Sequence, residues 1–361
     1  MSNEDFFEID FLDVGDTTSG DAITIRVVAN GIQTVSVVDG GYKDCGDEIT
    51  AHIQKHYGGV TSIKHVVLTH PDGDHAAGLK VLLEKFTVER LWMNRPWLYA
   101  DQLINQYPTY TDVGRLKSRL RKAYPNVRDL EEIAEEKGIL IEEAFQGASI
   151  GHFVVMSPTR AKFLELVARD DDKAEEFTES RSAVLENSWL IQKVLKVAKY
   201  IASAWGEEIL PRKETTPRNE MSIVQYAELN GIKVLLTGDA GPEALDMTIA
   251  YAPFVGLQLP GIDRFQVPHH GSRRNVSSDL FDTLLGPKKV IQDGNTHFSA
   301  FISAGKNDDD HPKRSVVRGL IHRGAEVAQT KGKSVRTGWN KPKREGWVTL
   351  TPAEYPQDQE E

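Results

Sequence analysis

Apolar and polar positions fall into three regimes along the chain. In the first hundred residues, short apolar runs alternate with glycine-rich breaks. Residues 6–14 (FFEIDFLDV), 22–29 (AITIRVVA) and the run TVSVVDGG that ends on Asp39 read as three strands of an antiparallel meander. Residues 48–57 carry Ile49 and Ile53 at helical spacing and stop at Gly58 and Gly59. Val66, Val67 and Leu68 form the next apolar strand, 76–85 the next helix, and VERLWMNRPW a further strand whose Asn94 and Arg95 are expected at a cleft mouth.

From about 101 to 216 the period lengthens. Helical stretches are expected at 112–123, 129–137, 159–169 and 180–205, with charges such as Glu131, Glu132 and Glu135 on exposed faces. Strand-like HFVVMSP at 152–158 interrupts them. After the proline-rich PRKETTPRN, the runs MSIVQYAEL and IKVLLTGDAG read as a hairpin about Asn230 and Gly231. Then follow a helix at 242–250, the strand RFQVPHHGS, a helix at 279–286, the strand KKVIQDG, a helix at 313–322, and SVRTG…GWVTL closing a sheet. The pattern predicts an α/β layer fold in which 1–100 and 216–361 form the main domain and 101–215 a largely helical insertion. A lid or a protein-docking surface are both open as the insertion's purpose.

Composition narrows the class. The 361 residues are 40% hydrophobic and 27% charged, as in an ordinary globular protein. No apolar run approaches a bilayer span and the start, MSNEDFFEID, is acidic, so the expectation is a cytoplasmic protein without membrane contact. The single cysteine, Cys45, excludes an internal disulfide and a CxxC zinc site. A net charge of -10 argues against uniform affinity for nucleic acid. However, ten Lys or Arg against two Glu lie between Lys313 and Gly346, a face that could attract a polyanion or simply be solvated.

The chemistry concentrates at LTHPDGDHAAG, where His70, Asp72, Asp74 and His75 fall within six residues directly after a strand. Imidazoles and carboxylates crowded so tightly repel or bury charge at a cost unless a cation sits among them. The bland reading, a satisfied histidine and Asp74 as a helix cap, explains one or two of the four but not the set. Asp72 adds oxygen to the set, which moves the preference from zinc towards manganese. Asp239 ends the strand of LTGDAG, and VPHHGS delivers His269 and His270. Neighbours on an extended strand point opposite ways, so one imidazole should reach the site, and the expectation falls on His269.

At these residues the chain resembles the metallo-β-lactamase superfamily, whose signature is H-x-H-x-D-H. More narrowly it resembles the competence branch, the soluble hydrolase part of ComEC-type DNA-uptake proteins, in which Asp at the second His position is familiar. LDVGDTTSGDA (residues 12–22) is similar to that branch's LDVGxGDA with extra residues inserted, and Asn219 with Ser222 matches its N-x-x-S. The resemblance implies an αββα sandwich. It implies Asp39 as an anchor behind the metal, and Asp239 as a bridge. His70, Asp72 and His269 would hold one ion, and Asp74, His75 and His311 the other. Asp74 and His270 are the expected catalytic side chains, and Ser272, Arg273, Arg274 and Asn307 the substrate contacts. Asp310 stands where the branch has Gly.

A divalent metal, Mn or Zn, one ion or two, would supply nucleophilic water near neutral pH. The leading expectation is a phosphodiesterase or nuclease acting on single-stranded DNA, with Trp339 and Trp347 stacking bases. The alternatives are a small-molecule ester, lactone or thioester hydrolase, and a partner-binding module with a vestigial metal site.

Overall fold

The computed structural model describes residues 4–180, 206–289, 295–347 and 351–360. The expected strand KKVIQDG, the helix at 180–205 and the end of GWVTL lie largely outside the described residues. In chain order the elements are β1 (Phe6–Phe11), β2 (Ala22–Ala29), β3 (Ile32–Gly40), α1 (Cys45–His56), β4 (Ser62–Val67), α2 (Gly73–Lys85) and β5 (Thr87–Trp92). Then come α3 (Ala100–Leu103), α4 (Val113–Ala123), α5 (Pro125–Lys137), β6 (Leu140–Glu142), β7 (Ser149–Ile150), β8 (Phe153–Ser157) and α6 (Arg160–Ser180). The rest are α7 (Pro217–Glu220), β9 (Val224–Leu229), β10 (Ile232–Leu236), α8 (Pro242–Tyr251), β11 (Arg264–Gln266), α9 (Ser278–Leu285), β12 (Phe298–Ile302), α10 (Arg314–His322), β13 (Ala325–Gln329) and β14 (Val335–Trp339).

The strands pair into two sheets of matching design. One runs β14-β1-β2-β3-β4-β5-β6 and the other β13-β12-β11-β10-β9-β8-β7. Each has a strand hairpin or meander on one side and parallel strands on the other, with β3 to β6 parallel in the first and β10 to β13 in the second. Period-2 alternation on β1 turns Phe7, Ile9 and Phe11 inwards, against Val155, Leu236 and Phe301 of the second sheet. The Phe11 and Phe301 rings stack with centroids 4.8 Å apart.

Helices cover both outer faces. Ile49 and Ile53 of α1, Leu79, Leu82 and Leu83 of α2, and Leu130 of α5 pack on Val35, Val37 and Val66. Leu245 of α8, Phe281 of α9 and Leu320 of α10 pack on Leu235, Phe265 and Val327. The result is a four-layer αββα sandwich, as the resemblance implies, within the α/β layering that the pattern predicts. The 101–215 stretch supplies strands as well as helices: β6 extends the first sheet and β7 with β8 the second. No helix among the described residues is long and apolar enough to cross a membrane. Cys45 is buried, and burial pushes its thiol up to about 11.

The other side of β1 is unusual. Glu8 and Asp10 are fully buried there. Arg26 binds Glu8, Arg336 binds Glu8, and Arg344 reaches both, 2.8 Å from Asp10 Oδ2 and 3.1 Å from Glu8 Oε2. Elsewhere Arg323 pairs with Glu208 and Asp282, and Arg318 donates to the carbonyls of Glu207 and Pro356. The basic C-terminal stretch is therefore not the open cationic face that composition suggested, because four of its arginines serve the interior. Trp347 is likewise engaged, with the Arg344 guanidinium 4.9 Å above its ring, whereas Trp339 is exposed.

Candidate metal centre

The candidate residues meet where the parallel strands of both sheets end, the usual place for chemistry in layered α/β folds. The loop after β4 carries Thr69, His70 and Asp72. Residue 72 is extended, and α2 starts at Gly73, so Asp74 and His75 lie in its first turn. This helix comes unusually close to β3. A Cβ on Gly78 would lie 1.9 Å from the Gly40 carbonyl oxygen, so only glycine lets His75 reach the end of β3. There Asp39, in the left-handed region at φ +56°, turns its carboxylate to meet it.

One hydrogen-bond chain sets three imidazoles. His75 Nδ1 donates to Asp39 Oδ2 at 2.7 Å, and Thr69 donates its backbone N–H and its hydroxyl to the same carboxylate. The Thr69 oxygen is then left to accept from His70 Nδ1 at 3.1 Å. His270 Nδ1 donates to the Ser303 carbonyl at 3.0 Å. With each Nδ1 committed, His70 Nε2, His75 Nε2 and His270 Nε2 all turn to one small volume, together with Asp239 Oδ1. All four atoms are buried and have no hydrogen-bond partner.

Asp239 stands at the middle. Its Oδ1 is 3.3 Å from His75 Nε2 and 4.0 Å from His270 Nε2; its Oδ2 is 3.6 Å from His70 Nε2 and 2.6 Å from His269 Nδ1. Asp74 Oδ2 lies 3.8 Å from His75 Nε2 and 3.5 Å from His270 Nε2. Asp72, about a third exposed, lies 3.7 Å from His70 Nε2 and 3.5 Å from Arg218. Ser222 accepts the Asp239 backbone N–H, and Asn219 reaches His269 Nδ1 at 2.9 Å, so the N-x-x-S segment frames this end of the site.

The electrostatics follow from crowding. Burial pushes the Asp239 carboxyl up, but His269, His75, His270 and His70 outweigh it and hold the group well below the usual range. Burial disfavours charge on His75, yet Asp239, Asp39 and Asp74 raise it well above an ordinary imidazole; His270 rises to about 9 against the same burial, through Asp239 and Asp74. His70 is lowered, by burial and by His75. The same carboxylates that favour positive charge on these imidazoles would favour a divalent cation among them.

Two expectations change. The histidine pair is not on an extended strand: β11 stops at Gln266, and His269 and His270 both take left-handed conformations, φ +48° and +56°. The alternation argument does not apply to such a turn. It is His270 that is buried with its Nε2 unpartnered, while His269 is about a third exposed and lies beside Asp239 and Asn219. His311 is in none of the close donor groups. Its Nδ1 faces Asp308 Oδ2 at 3.2 Å, the Asp308 carboxylate also accepts the backbone N–H groups of Asp310 and His311, and the ring is 6.0 Å from that of His270. Held from behind, it borders a cavity of about 540 Å³ that extends towards Lys313, Lys331 and Glu360.

The expected substrate contacts divide. Ser272 is buried within the turn, its hydroxyl accepting the Arg274 N–H; Arg273 is half-buried and Arg274 exposed. Asn307 is exposed, its backbone N–H bonded to the Asp16 carbonyl. Asn94 exchanges hydrogen bonds with the Ala144 backbone and Arg95 pairs with Glu131, so neither is a free group at a cleft mouth. The residue that sequence reasoning passed over is Asp21. It is buried among Asp39, His75, Asp239 and His270. The available signal was the GDA that ends residues 12–22.

Imidazoles and carboxylates thus converge at the seam of an αββα sandwich in groups that could hold a metal ion. Residues 24–145, which include the whole first turn, match the family model of the metallo-beta-lactamase superfamily. No curated protein matches the sequence. Among solved structures, a metallo-beta-lactamase candidate from Thermotoga maritima aligns at 11% identity over 64% of this chain and 78% of its own, with a TM-score of 0.29. A structure described as hydrolase AbOPH in the beta lactamase superfamily aligns at 10% identity over 73% and 90%, with a TM-score of 0.36.

The Asp39 brace is testable by itself. Replacing Asp39 with Asn frees the His75 ring to change tautomer, and affinity for Mn²⁺ or Zn²⁺ is expected to fall by roughly 10–100-fold. Competition against a chromogenic chelator measures this, with circular dichroism unchanged.

Proposed function

We propose that the chain is a two-metal phosphodiesterase, a nuclease acting on single-stranded DNA. The observation that carries the hydrolytic reading is the set of four buried donors without partners, His70 Nε2, His75 Nε2, His270 Nε2 and Asp239 Oδ1. Left unligated, each would bear the full desolvation cost of a polar atom. They fall into an outer group, His70, Asp72 and Asp239 Oδ2 with His269 beside them, and an inner group, Asp74, His75, His270 and Asp239 Oδ1. A divalent ion, manganese or zinc, fits each group.

When bound, such an ion lowers the pKa of water towards neutrality and takes up the charge that develops on the attacked oxygen. The chain's own part is to hold Asp239 between the two groups with one carboxylate oxygen to each. It also fixes His75 and His270 through Asp39 and Ser303, and leaves Asp74, a quarter exposed, beside His270, where it would hold or pass a proton. Support for a phosphodiester comes from the rim. Burial and the neighbouring Arg273 and Arg274 lower the ammonium of Lys213, so three cations gather beside the 269–272 turn. The resemblance to the competence branch points to DNA. Single-stranded substrate suits a rim that tracks a backbone without needing a groove.

A second reading, a small-molecule ester, lactone or thioester hydrolase, is favoured by the internal use of Arg318, Arg323, Arg336 and Arg344 and by the net charge of -10. The two separate cleanly in assay. A fluorescent single-stranded oligonucleotide with Mn²⁺ should be cut by the parent chain and not by His75→Ala, while a lactone with Zn²⁺ is left intact. Lactone turnover without oligonucleotide cleavage would move the site to the second reading. A parent that takes up no metal and behaves like His75→Ala would be a binding module.

A further inference from the structure

Asp21 directly precedes β2 and is 2% exposed. Its backbone is clamped to the centre, with its N–H on the Asp74 carbonyl at 3.3 Å and its own carbonyl accepting the Gly41 N–H at 2.7 Å. The carboxylate is aimed by Gln266. That amide cannot turn over, because its Oε1 already accepts the N–H groups of Thr237 and Gly238; its Nε2 must therefore donate to Asp21 Oδ2, at 2.9 Å. A carboxylate oxygen of Asp21 lies within 4.8 Å of the donor atoms of Asp239 and His270, and Asp21 Oδ2 is 4.0 Å from His75 Nδ1, the atom that Asp39 holds. Two of those donors, Asp239 Oδ1 and His270 Nε2, are buried and unpartnered.

Asp21, Asp39 and Asp239 are three buried carboxylates, and among the described residues no lysine or arginine pairs with any of them. Buried like charges at such range demand a cation. On the metal reading given above, the inner group already has Asp74, His75, His270 and Asp239. Zinc at its commonest is satisfied by four donors rich in nitrogen or sulfur, whereas manganese takes more donors and prefers oxygen.

We propose that Asp21 is a further donor to the inner position, giving it a third carboxylate, and that this residue tilts the position towards Mn²⁺ over Zn²⁺. Asp21→Asn keeps the shape and an oxygen for Gln266. In metal-stripped full-length protein, titrated calorimetrically with Mn²⁺ alone and Zn²⁺ alone, the variant should lose about 10–100-fold in Mn²⁺ affinity and much less in Zn²⁺ affinity. The stripped variant should also melt above the stripped parent, because one of the mutually repelling carboxylates is gone. Equal losses for both ions with a lower melting temperature would make Asp21 a structural brace and overturn the proposal, as would unchanged affinity for both. Should the Asn variant not fold, Asp21→Ser is read by the same two measurements. A parent that binds neither ion overturns the metal reading itself; a parent that binds both, with Asp21→Asn indistinguishable from it, overturns this inference alone.

Discussion

Replacing Asp239 with Ala is expected to abolish hydrolysis, by at least about 10³-fold in kcat/KM or some 4 kcal/mol of transition-state stabilisation. The expectation follows from position. One carboxylate faces His75 and His270 with Oδ1 and His70 and His269 with Oδ2, so its loss removes the shared anion from both groups at once. The backbone around it is held independently, by Ser222 at its N–H and Asn275 at its carbonyl, so the fold should persist. Elemental analysis after dialysis should find the variant depleted in metal at both positions. Retention of two ions with loss of rate would mean that Asp239 acts on substrate rather than as the link.

Arg344→Ala is expected to damage stability rather than nucleic-acid binding. The guanidinium is about 4% exposed and pairs with both Glu8 and Asp10, so truncation removes a cation from two buried carboxylates, leaving Glu8 to Arg26 and Arg336 and Asp10 to His52 and Tyr57. Breaking a buried pair of this kind costs about 3–5 kcal/mol, read as a lower urea midpoint at constant m-value. The network carries a pH signature as well. Burial raises the Asp10 carboxyl, but His52 and Arg344 together bring it below its ordinary value of 3.8. Because the folded-state value is the lower one, this stabilisation is complete above the unfolded value and is lost as pH falls from about 4 downwards. Arg344→Ala should flatten that acid limb. A variant with the parent's midpoint and weakened oligonucleotide binding would restore the segment as a nucleic-acid surface.

The contrast between these two residues shows what the sequence made legible. The turn from His70 to His75 announces itself because its groups are local, four within six residues; Asp39 and Asp239 each end an apolar strand, and the resemblance supplied their roles. The succession of strands and helices could be read from their periods, and the αββα order from the resemblance. The choice between His269 and His270 rested on an alternation rule that presumes an extended chain, and both residues are left-handed. His311 was drawn to the metal by resemblance, and Asp308, three residues earlier, engages its Nδ1. Asp21 depends on Gln266, 245 residues away, and Arg344 on Asp10, 334 residues away. Charge that looks solvated in a string can be interior in a fold, and separations of that size leave no periodic trace.

The seam between the two sheets has a consequence for assembly of the site. Asp39, His70 and His75 belong to one half of the molecule, Asp239 and His270 to the other. Ions seated there would act as rivets across the halves, so chelation should loosen the whole body, and cellular ion supply would then govern how long the folded chain survives as well as how fast it works.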